Sequence, residues 1–371
     1  MNIAIVQFYS YHEEILSPQI EFLINHCNIF LAAPANVFEN DYIKPYINLI
    51  HPILFKNHNY NKSKLKFILR IYSILKKYFI LFLNNSKYKF DLIIFNTINK
   101  DFHYTIINCL FKNCKKIQII HNSYNLNYNN FKLFCNNIFL SHNIYEKSKN
   151  EPKIINKHIN FAWFCPLLPL NLIENYKSNK IFFDPSLINI VIPGTVEAER
   201  RNYSSLFSAL KKYKSKNELK FKIYLAGKIN ENMISVINNY KINHIITYFT
   251  EFISGKDMLY SIKNCDAVAF LIDSKLGDNF KYYNNYKVSG TVNLCITFNK
   301  SCIVSDEYSI EAALKNHVVT YQNDNFLTIF EKIEDGIITK EYFEKLNSKP
   351  IDEMYSFAFQ QKQYLKSIGL I

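Results

Sequence analysis

The sequence predicts an α/β protein with two doubly wound parallel sheets, one in each half of the chain. Short, continuously apolar runs alternate with longer segments of helical periodicity, and the alternation restarts after a proline-containing passage at 161–171. Strands that are apolar on both faces are typical of parallel sheets covered by helices on both sides. A chain of 371 residues is long enough for two such domains.

The first half of the chain is predicted to form an N-terminal Rossmann-like domain of residues 1–165. Its apolar runs predict strands at 2–8, 28–33, 91–96, 116–121 and 137–142. The segments between them predict helices near 14–26, 63–84, 101–112 and 143–149.

A linker at 166–186 is predicted to lead into a second Rossmann-like domain of residues 187–345. The predicted strands are 187–194, 220–227, 244–249, 266–273, 301–305 and 316–321. Helices are expected near 202–214, 231–240, 256–264, 289–298, 307–314 and 324–334, with a polar, tyrosine-rich loop at 273–287. Residues 346–371 contain one more helical period, expected to pack back toward the first domain.

Cysteine use and the absence of hydrophobic targeting signals predict a cytoplasmic protein. The eight cysteines are scattered without a C-x-x-C pair, so we expect reduced thiols and no metal site. The N-terminal segment reads as a strand without a cationic leader, and the apolar run 78–83 is too short to span a membrane.

The positive charge is concentrated in the first half of the chain. The net charge is +13, and residues 1–165 hold 19 Lys and Arg against 9 Asp and Glu. The densest segment, 62–77, has six cations and no acid, with apolar residues between them. This pattern fits a basic amphipathic helix at an anionic membrane surface on the inner face of the cytoplasmic membrane. It equally fits a surface helix whose apolar face packs on the core.

Glycine is confined to the second half of the chain, since all seven glycines follow residue 193. A dinucleotide-binding fingerprint needs glycines directly after the first strand, and a P-loop needs G-x-x-x-x-G-K-[ST]. The first domain therefore has neither motif, and a backbone cradle for phosphate is expected in the second domain.

Two segments of the second domain have the chemistry of a diphosphate site. In "IVIPGTVEAERRNY" (190–203), Gly194 and Thr195 follow a strand, and Arg200 and Arg201 precede a helix. Arginine forks and a helix N-terminus both favour a diphosphate, although an ordinary turn with solvated arginines fits the same pattern.

The second segment is "YKVSGTVNLCITF" (286–298), whose residues Lys287, Ser289, Gly290 and Thr291 lie at a predicted helix start. Free backbone N–H groups and hydroxyls there suit an anionic oxygen, although Ser289 could be only an N-cap. The rim that contacts the base and ribose of the nucleotide is assigned to three nearby residues, Asp273, Tyr286 and Asn293.

These segments resemble the donor-binding domain of GT-B type nucleotide-sugar glycosyltransferases, of the kind that build bacterial surface glycans. The match in motif covers about 187–210 and 266–314, including "KVSGTVNL" and "FNKSCIVSDE". The resemblance implies two Rossmann-like domains facing across a cleft, with the donor diphosphate held by the second. Many retaining members carry two glutamates seven residues apart around this helix; here Val288, Asn293 and Cys295 occupy the segment instead, which favours an inverting enzyme.

By the same resemblance, the first domain supplies the acceptor site and the catalytic base. The loop after the first strand, "YSYHEEILSPQ", presents His12 and Glu13, either of which could accept the proton of an acceptor hydroxyl. His121, at the end of another predicted strand, is the third catalytic candidate. Glutamates at 13 and 14 would equally favour a helix N-terminus, and His121 could be a structural histidine.

The predicted function is transfer of a sugar from a UDP- or GDP-type donor to a hydroxyl of a glycan or lipid-linked glycan, as in lipopolysaccharide or capsule synthesis. No cofactor and no metal are expected, since the chain has no Asp-x-Asp pair. A sugar-nucleotide epimerase on the same fold is the alternative enzyme. A basic, non-enzymatic binding module is the alternative of another class, although no nucleic-acid partner is expected because no nucleic-acid motif is present.

Overall fold

Residues 1–9, 13–56, 66–96, 98, 101–124, 128–151, 159–213, 219–322 and 324–371 are described by a computed structural model. They form two compact units. The first comprises Met1–Pro169 together with Phe357–Ile371, and the second comprises Leu170–Ser356. Each unit is built on one parallel sheet, so the predicted α/β class with two Rossmann-like domains is confirmed.

The first sheet has seven strands that pair in parallel in the order β3-β2-β1-β4-β5-β6-β7. They are β1 (Asn2–Val6), β2 (Asn28–Pro34), β3 (His51–Phe55), β4 (Leu92–Phe95), β5 (Lys115–Ile120), β6 (Asn136–Phe139) and β7 (Phe161–Trp163). The chain reverses its direction of travel across the sheet between β1 and β4. This switch point is where doubly wound sheets open a crevice at their carboxyl edge.

Four helices follow strands of this sheet: α1 (Glu13–Leu23), α2 (Lys66–Tyr88), α3 (Asp101–Leu110) and α4 (His142–Lys149). Buried aromatic rings join α2 to the sheet, with the rings of Phe8 and Tyr78 4.7 Å apart. The predicted basic segment 62–77 is described only in part, because residues 62–65 and the side chains of Lys66 and Arg70 lie outside the described residues.

The second sheet has six parallel strands in the order β10-β9-β8-β11-β12-β13, which repeats the order of the first. They are β8 (Ile188–Pro193), β9 (Phe221–Lys228), β10 (Ile246–Phe249), β11 (Ala267–Ala269), β12 (Ser301–Ser305) and β13 (Val318–Tyr321). Its switch point lies between β8 and β11.

The helices of the second unit are α5 (Tyr203–Lys212), α6 (Glu231–Tyr240), α7 (Gly255–Asn264), α8 (Asp278–Asn285), α9 (Gly290–Phe298), α10 (Leu327–Glu334) and α11 (Lys340–Asn347). The segment before β8 is fastened to α7, because Tyr176 and Ser178 donate to the buried Asp257 carboxylate over 2.7 and 2.6 Å.

The last helix, α12 (Phe357–Ser367), belongs to the first unit. It packs on α1 and β7. Its Gln360 side chain accepts a hydrogen bond from the backbone N–H of Cys165 over 2.6 Å.

No helix in the described part of the chain combines the length and the apolar character that crossing a bilayer requires.

Candidate functional site

The candidate site lies at the carboxyl edge of the second sheet, where β8 and β11 end side by side. Ligands of open α/β sheets bind outside the carboxyl ends of the strands at such a switch point. The segment 194–202 follows β8, and the segment 270–277 follows β11. The two segments touch, because the backbone N–H of Asn202 donates to the carbonyl of Leu271 over 2.8 Å.

Gly194 forms the turn after β8 in a conformation that favours glycine, with φ at +90°. The turn also lies directly on the end of β9. A Cβ on Gly227 would be 2.1 Å from the Gly194 carbonyl oxygen, so this neighbour must be glycine as well. Sequence reasoning missed Gly227, although a glycine at the end of the next strand was visible in the sequence.

Arg201 lies over this turn. Its Nη1 donates to the Thr195 carbonyl over 3.2 Å, and its Nη2 would be 3.2 Å from a Cβ on Gly194. Glycine at 194 therefore leaves room for the guanidinium as well as for the backbone conformation. Arg201 remains partly exposed, so it keeps donors that face solvent.

Arg200 points to a different neighbour, the phenol of Tyr283. Its Nε donates to the Tyr283 Oη over 3.3 Å, and its Nη1 lies 3.7 Å from a carboxylate oxygen of Glu197. Partial burial lowers the pKa of Arg200, but the contacts with Tyr283 and Glu197 raise it by more, so the group stays charged. The side chain is half exposed.

Lys287, four residues after Tyr283 in the sequence, contacts the ring of the same tyrosine. Its Nζ lies 5.4 Å from the Tyr283 ring centroid and 5.9 Å from that of Tyr282. Contacts of this length are within the range of cation–π attraction. Two cations, predicted separately for the diphosphate, therefore share one aromatic residue that sequence reasoning did not single out.

Tyr283 is in place because residues 278–285 form α8, and the prediction of a continuous loop at 273–287 is wrong. The asparagine- and tyrosine-rich sequence has low helix propensity, and tertiary contacts stabilise the helix. Asn279 donates to the backbone carbonyl of Glu199 over 2.8 Å, which ties α8 to the turn after β8.

The N-terminus of α9 follows Lys287 by three residues. Ser289 is at the N-cap position, yet its side chain makes no capping hydrogen bond within the described structure. Ser289 is therefore the N-cap residue of α9, as the alternative interpretation expected, but it caps the helix without a side-chain hydrogen bond. Gly290 is exposed, while Thr291 and Asn293 are each only 8% exposed. The first N–H groups of α9 therefore have no side-chain cap from Ser289.

Asp273, assigned to the base and ribose, is 1% exposed and engaged within the protein. Asn202 donates to both of its carboxylate oxygens over 2.9 and 3.0 Å, and the N–H of Lys275 donates over 3.1 Å. Burial raises the pKa of Asp273, opposed by the hydrogen bonds from Asn202 and Lys275. These bonds hold the segment after β11 against the N-terminus of α5. Tyr286, also assigned to the base and ribose, lies half-buried just after α8.

Leu271 is a third residue of the site, after Gly227 and Tyr283, that sequence patterns did not indicate. It is buried, and its φ is +51°, a region that a branched side chain rarely adopts. Its carbonyl accepts the Asn202 N–H, so the unusual conformation joins the two segments at the switch point. Strained residues of this kind concentrate at functional sites.

The predicted catalytic residues belong to the first unit. His12 lies outside the described residues, and Glu13 begins α1 with its side chain outside them. His121 directly follows β5 and is partly buried. Their roles stay predictions.

The solved structures that share this architecture over the full length of the chain include the following three. One is the lipopolysaccharide outer core galactosyltransferase WaaB in its apo form, with a TM-score of 0.58, 14% identity and 99% of each chain covered. HepE of Anabaena in complex with UDP has a TM-score of 0.62, 11% identity and 100% of each chain covered. A UDP-GlcNAc 2-epimerase from Neisseria meningitidis, bound to UDP-GlcNAc, has a TM-score of 0.62, 14% identity and 99% of each chain covered.

This chain has the GT-B type fold. The expectation raised by the motifs at 187–210 and 266–314 is thus confirmed at the level of fold. No protein-family model matches the chain, and no curated protein is similar to it in sequence. On this GT-B fold the similar structures include both a glycosyltransferase and an epimerase, and two of the three hold UDP or a UDP-sugar.

Proposed function

We propose that this GT-B protein is a glycosyltransferase that moves a sugar from a nucleoside-diphosphate donor to a hydroxyl of a glycan or lipid-linked glycan. The observation that best supports this proposal is the pair of cations, Arg200 and Lys287, that contact Tyr283. Arg200 is 3.3 Å from its hydroxyl and Lys287 is 5.4 Å from its ring centroid, at the switch-point edge. The N-terminus of α9, three residues after Lys287 and without a side-chain cap, would add backbone N–H donors.

Such an arrangement suits a diphosphate leaving group. Negative charge grows on the diphosphate as the bond to the sugar breaks, and positioned cations and N–H groups stabilise that charge. The phosphates would be held by the side chains of Arg200, Arg201 and Lys287. Five further residues would line the diphosphate site around them: Gly194, Thr195, Ser289, Gly290 and Thr291. We propose that Tyr286 and Asn293 contact the base and ribose, and that Asp273 acts there through Asn202 and the turn. No metal or cofactor is required by this proposal.

The acceptor hydroxyl must lose a proton as it attacks the sugar. We assign this step to His12 or Glu13, with His121 contacting the sugar or the acceptor, and we propose inversion at the reacting carbon. A histidine or carboxylate within hydrogen-bond reach of the hydroxyl performs such a transfer. We place the enzyme in the cytoplasm at the inner face of the membrane, where a lipid-linked acceptor would be carried.

A sugar-nucleotide epimerase is the second candidate, because one of the similar structures is a 2-epimerase. Epimerisation needs free acid and base groups beside the sugar. Three nearby carboxylates of the second unit have other partners: Asp273 accepts from Asn202, Glu307 accepts from the Ser274 N–H over 3.0 Å, and Asp278 pairs with Lys281 over 3.8 Å. Their engagement supports the transferase over the epimerase.

A thermal-shift panel with UDP, GDP, ADP and CMP, with and without magnesium, tests the donor site. We expect stabilisation by one diphosphate without a magnesium requirement. Arg200→Ala, Arg201→Ala and Lys287→Ala should each weaken binding by about 1–3 kcal/mol, the cost of one charged hydrogen bond. Lys281→Ala is the matched control, since that exposed lysine of α8 pairs with Asp278 over 3.8 Å.

The absence of any shift, or equal losses in all four variants, would overturn the donor site and favour a basic binding protein. A proton-exchange measurement then separates the two enzymes. Incubation of the preferred UDP-sugar in deuterated water without acceptor should leave the sugar's ring protons unexchanged in a transferase. Deuterium at C2 would instead identify a 2-epimerase.

A further inference from the structure

Helix α2 presents a continuous apolar stripe to solvent. Tyr72, Leu75, Phe79 and Leu83 are 59%, 46%, 56% and 51% exposed. They are spaced by three, four and four residues, so they lie on one face of the helix. Exposed apolar residues are normally scattered singly, and a contiguous row marks an interaction surface.

The stripe is not the side of α2 that packs on the sheet. Ile74, Tyr78 and Leu81 of the same helix are 6%, 0% and 0% exposed and belong to the core of the first unit. The helix therefore buries one apolar face and leaves a second one uncovered. The core alone does not account for the second face.

The stretch of sequence that contains the stripe carries only positive charge. Between Asp41 and Asp91 the chain has ten Lys and Arg and no Asp or Glu. Two exposed lysines flank the stripe on the helix surface. Lys76 is four residues after Tyr72 and three before Phe79, and Lys87 is four after Leu83.

We propose that the α2 stripe docks on an anionic lipid bilayer. The four apolar side chains would enter the interface between headgroups and acyl chains, while Lys76 and Lys87 face the lipid phosphates. Five Lys and Arg among the 23 residues of α2 favour a helix that lies on the bilayer. A second copy of the chain is a poorer occupant, because pairing the stripes would bring two rows of lysines together.

The proposal adds a partner to the proposed function, and it is tested without nucleotide so that the two can fail separately. The full chain is sedimented with vesicles of phosphatidylcholine alone and with phosphatidylglycerol added at a roughly seven-to-three ratio. Binding is expected only to the mixed vesicles. Leu75→Gln with Phe79→Gln should weaken it at least about tenfold, because two apolar anchors are lost.

Phe252→Gln is the matched control, since Phe252 is 69% exposed and has the Lys228 Nζ 5.4 Å from its ring, yet lies in the second unit. It should bind like the wild type. Lys76→Gln with Lys87→Gln should weaken binding and reduce its sensitivity to salt. Circular dichroism and thermal unfolding without nucleotide confirm that each variant is folded.

Three outcomes would overturn the proposal. One is a wild type that stays in the supernatant with mixed vesicles, and another is a stripe variant that binds as well as the wild type. The third is a stripe variant that changes only the oligomeric state in size-exclusion chromatography, which would assign the stripe to a second copy.

Discussion

Gly227 carries a steric constraint that is independent of any ligand. Its Cα lies against the Gly194 carbonyl, and a Cβ there would also be 2.4 Å from the Gly194 carbonyl carbon. The three nearest atoms are all backbone atoms of Gly194 and Thr195, so no flexible side chain can move away. The constraint therefore belongs to the fold of the turn after β8.

Gly227→Ala is expected to cost about 3 kcal/mol or more of the free energy of unfolding, because the turn must shift. Chemical denaturation monitored by circular dichroism measures this loss. Gly336→Ala is the control: φ there is +74°, and nothing lies within 4 Å of the added Cβ. That change should cost only about 1–2 kcal/mol. Equal losses in the two variants would contradict the steric argument.

Lys77 is a buried cation on the inner face of α2. It is 7% exposed, and its Nζ donates to the Phe8 carbonyl over 2.8 Å. The rings of Tyr9 and Phe55 lie 5.9 and 5.8 Å away. Burial lowers the pKa of Lys77. The folded state therefore releases this proton at a lower pH than the unfolded chain does.

The stability of the wild type should rise relative to that of Lys77→Met as the pH increases toward about 10.4, the ordinary lysine pKa. In that window the unfolded state binds more protons, so the free energy of unfolding increases with pH. Denaturation curves at several pH values test this. Lys76→Met changes the exposed neighbour, and its free energy of unfolding should vary with pH as that of the wild type does. The prediction is refuted if the free energy of unfolding of Lys77→Met also varies with pH in this way.

At the scale of elements, α12 is fastened into the first unit by a buried polar network. Gln19 and Asn96 exchange side-chain hydrogen bonds of 3.1 and 2.7 Å. Gln19 also donates to the Tyr364 hydroxyl over 3.2 Å. The Tyr364 ring packs 4.8 Å from that of Phe164 and 5.6 Å from that of Phe22.

Tyr364→Ala should therefore destabilise the first unit by about 3–5 kcal/mol, the usual cost of deleting a buried aromatic ring. Tyr364→Phe removes only the hydroxyl and should cost about 1 kcal/mol. Thermal or chemical unfolding gives both values. Lys362→Ala, an exposed position on the same helix, is the comparison. A loss of similar size there would contradict the assignment of the effect to the buried ring of Tyr364.

The elements that the sequence did not predict share physical causes. β3 contains Pro52, which argues against an interior strand but is tolerated at a sheet edge, where β3 lies. β7 has only three residues and follows a polar segment. The predicted helix at 307–314 is wrong, because a turn and a short 3-10 helix at Ala312–His317 replace it. In each case neighbouring elements decide the conformation.

At the scale of the molecule, both sheets repeat one strand order but differ at their switch points. In the first sheet, Asn96 after β4 is buried against Gln19. In the second sheet, glycine and two arginines follow β8. Glycine, which is absent from residues 1–193, provides the positive φ of the turn after β8.

The sequence predicts those residues of the candidate site that the strand order brings to one edge of the sheet. Arg200 and Lys287 were selected because parallel strands end at a common edge. Tyr283, Gly227 and Leu271 were not, because their importance depends on contacts between elements far apart in the sequence. Local patterns do not encode those contacts.

The turn after β8 is held on three sides by the protein itself. Gly227 supports the Gly194 carbonyl, Arg201 binds the Thr195 carbonyl, and Leu271 binds the Asn202 N–H. A ligand arriving there meets backbone that is already ordered. For the proposed donor, the entropy lost on binding would come from the ligand and from the side chains of Arg200, which is exposed, and Lys287, which is partly exposed. The backbone of the turn would be preorganised.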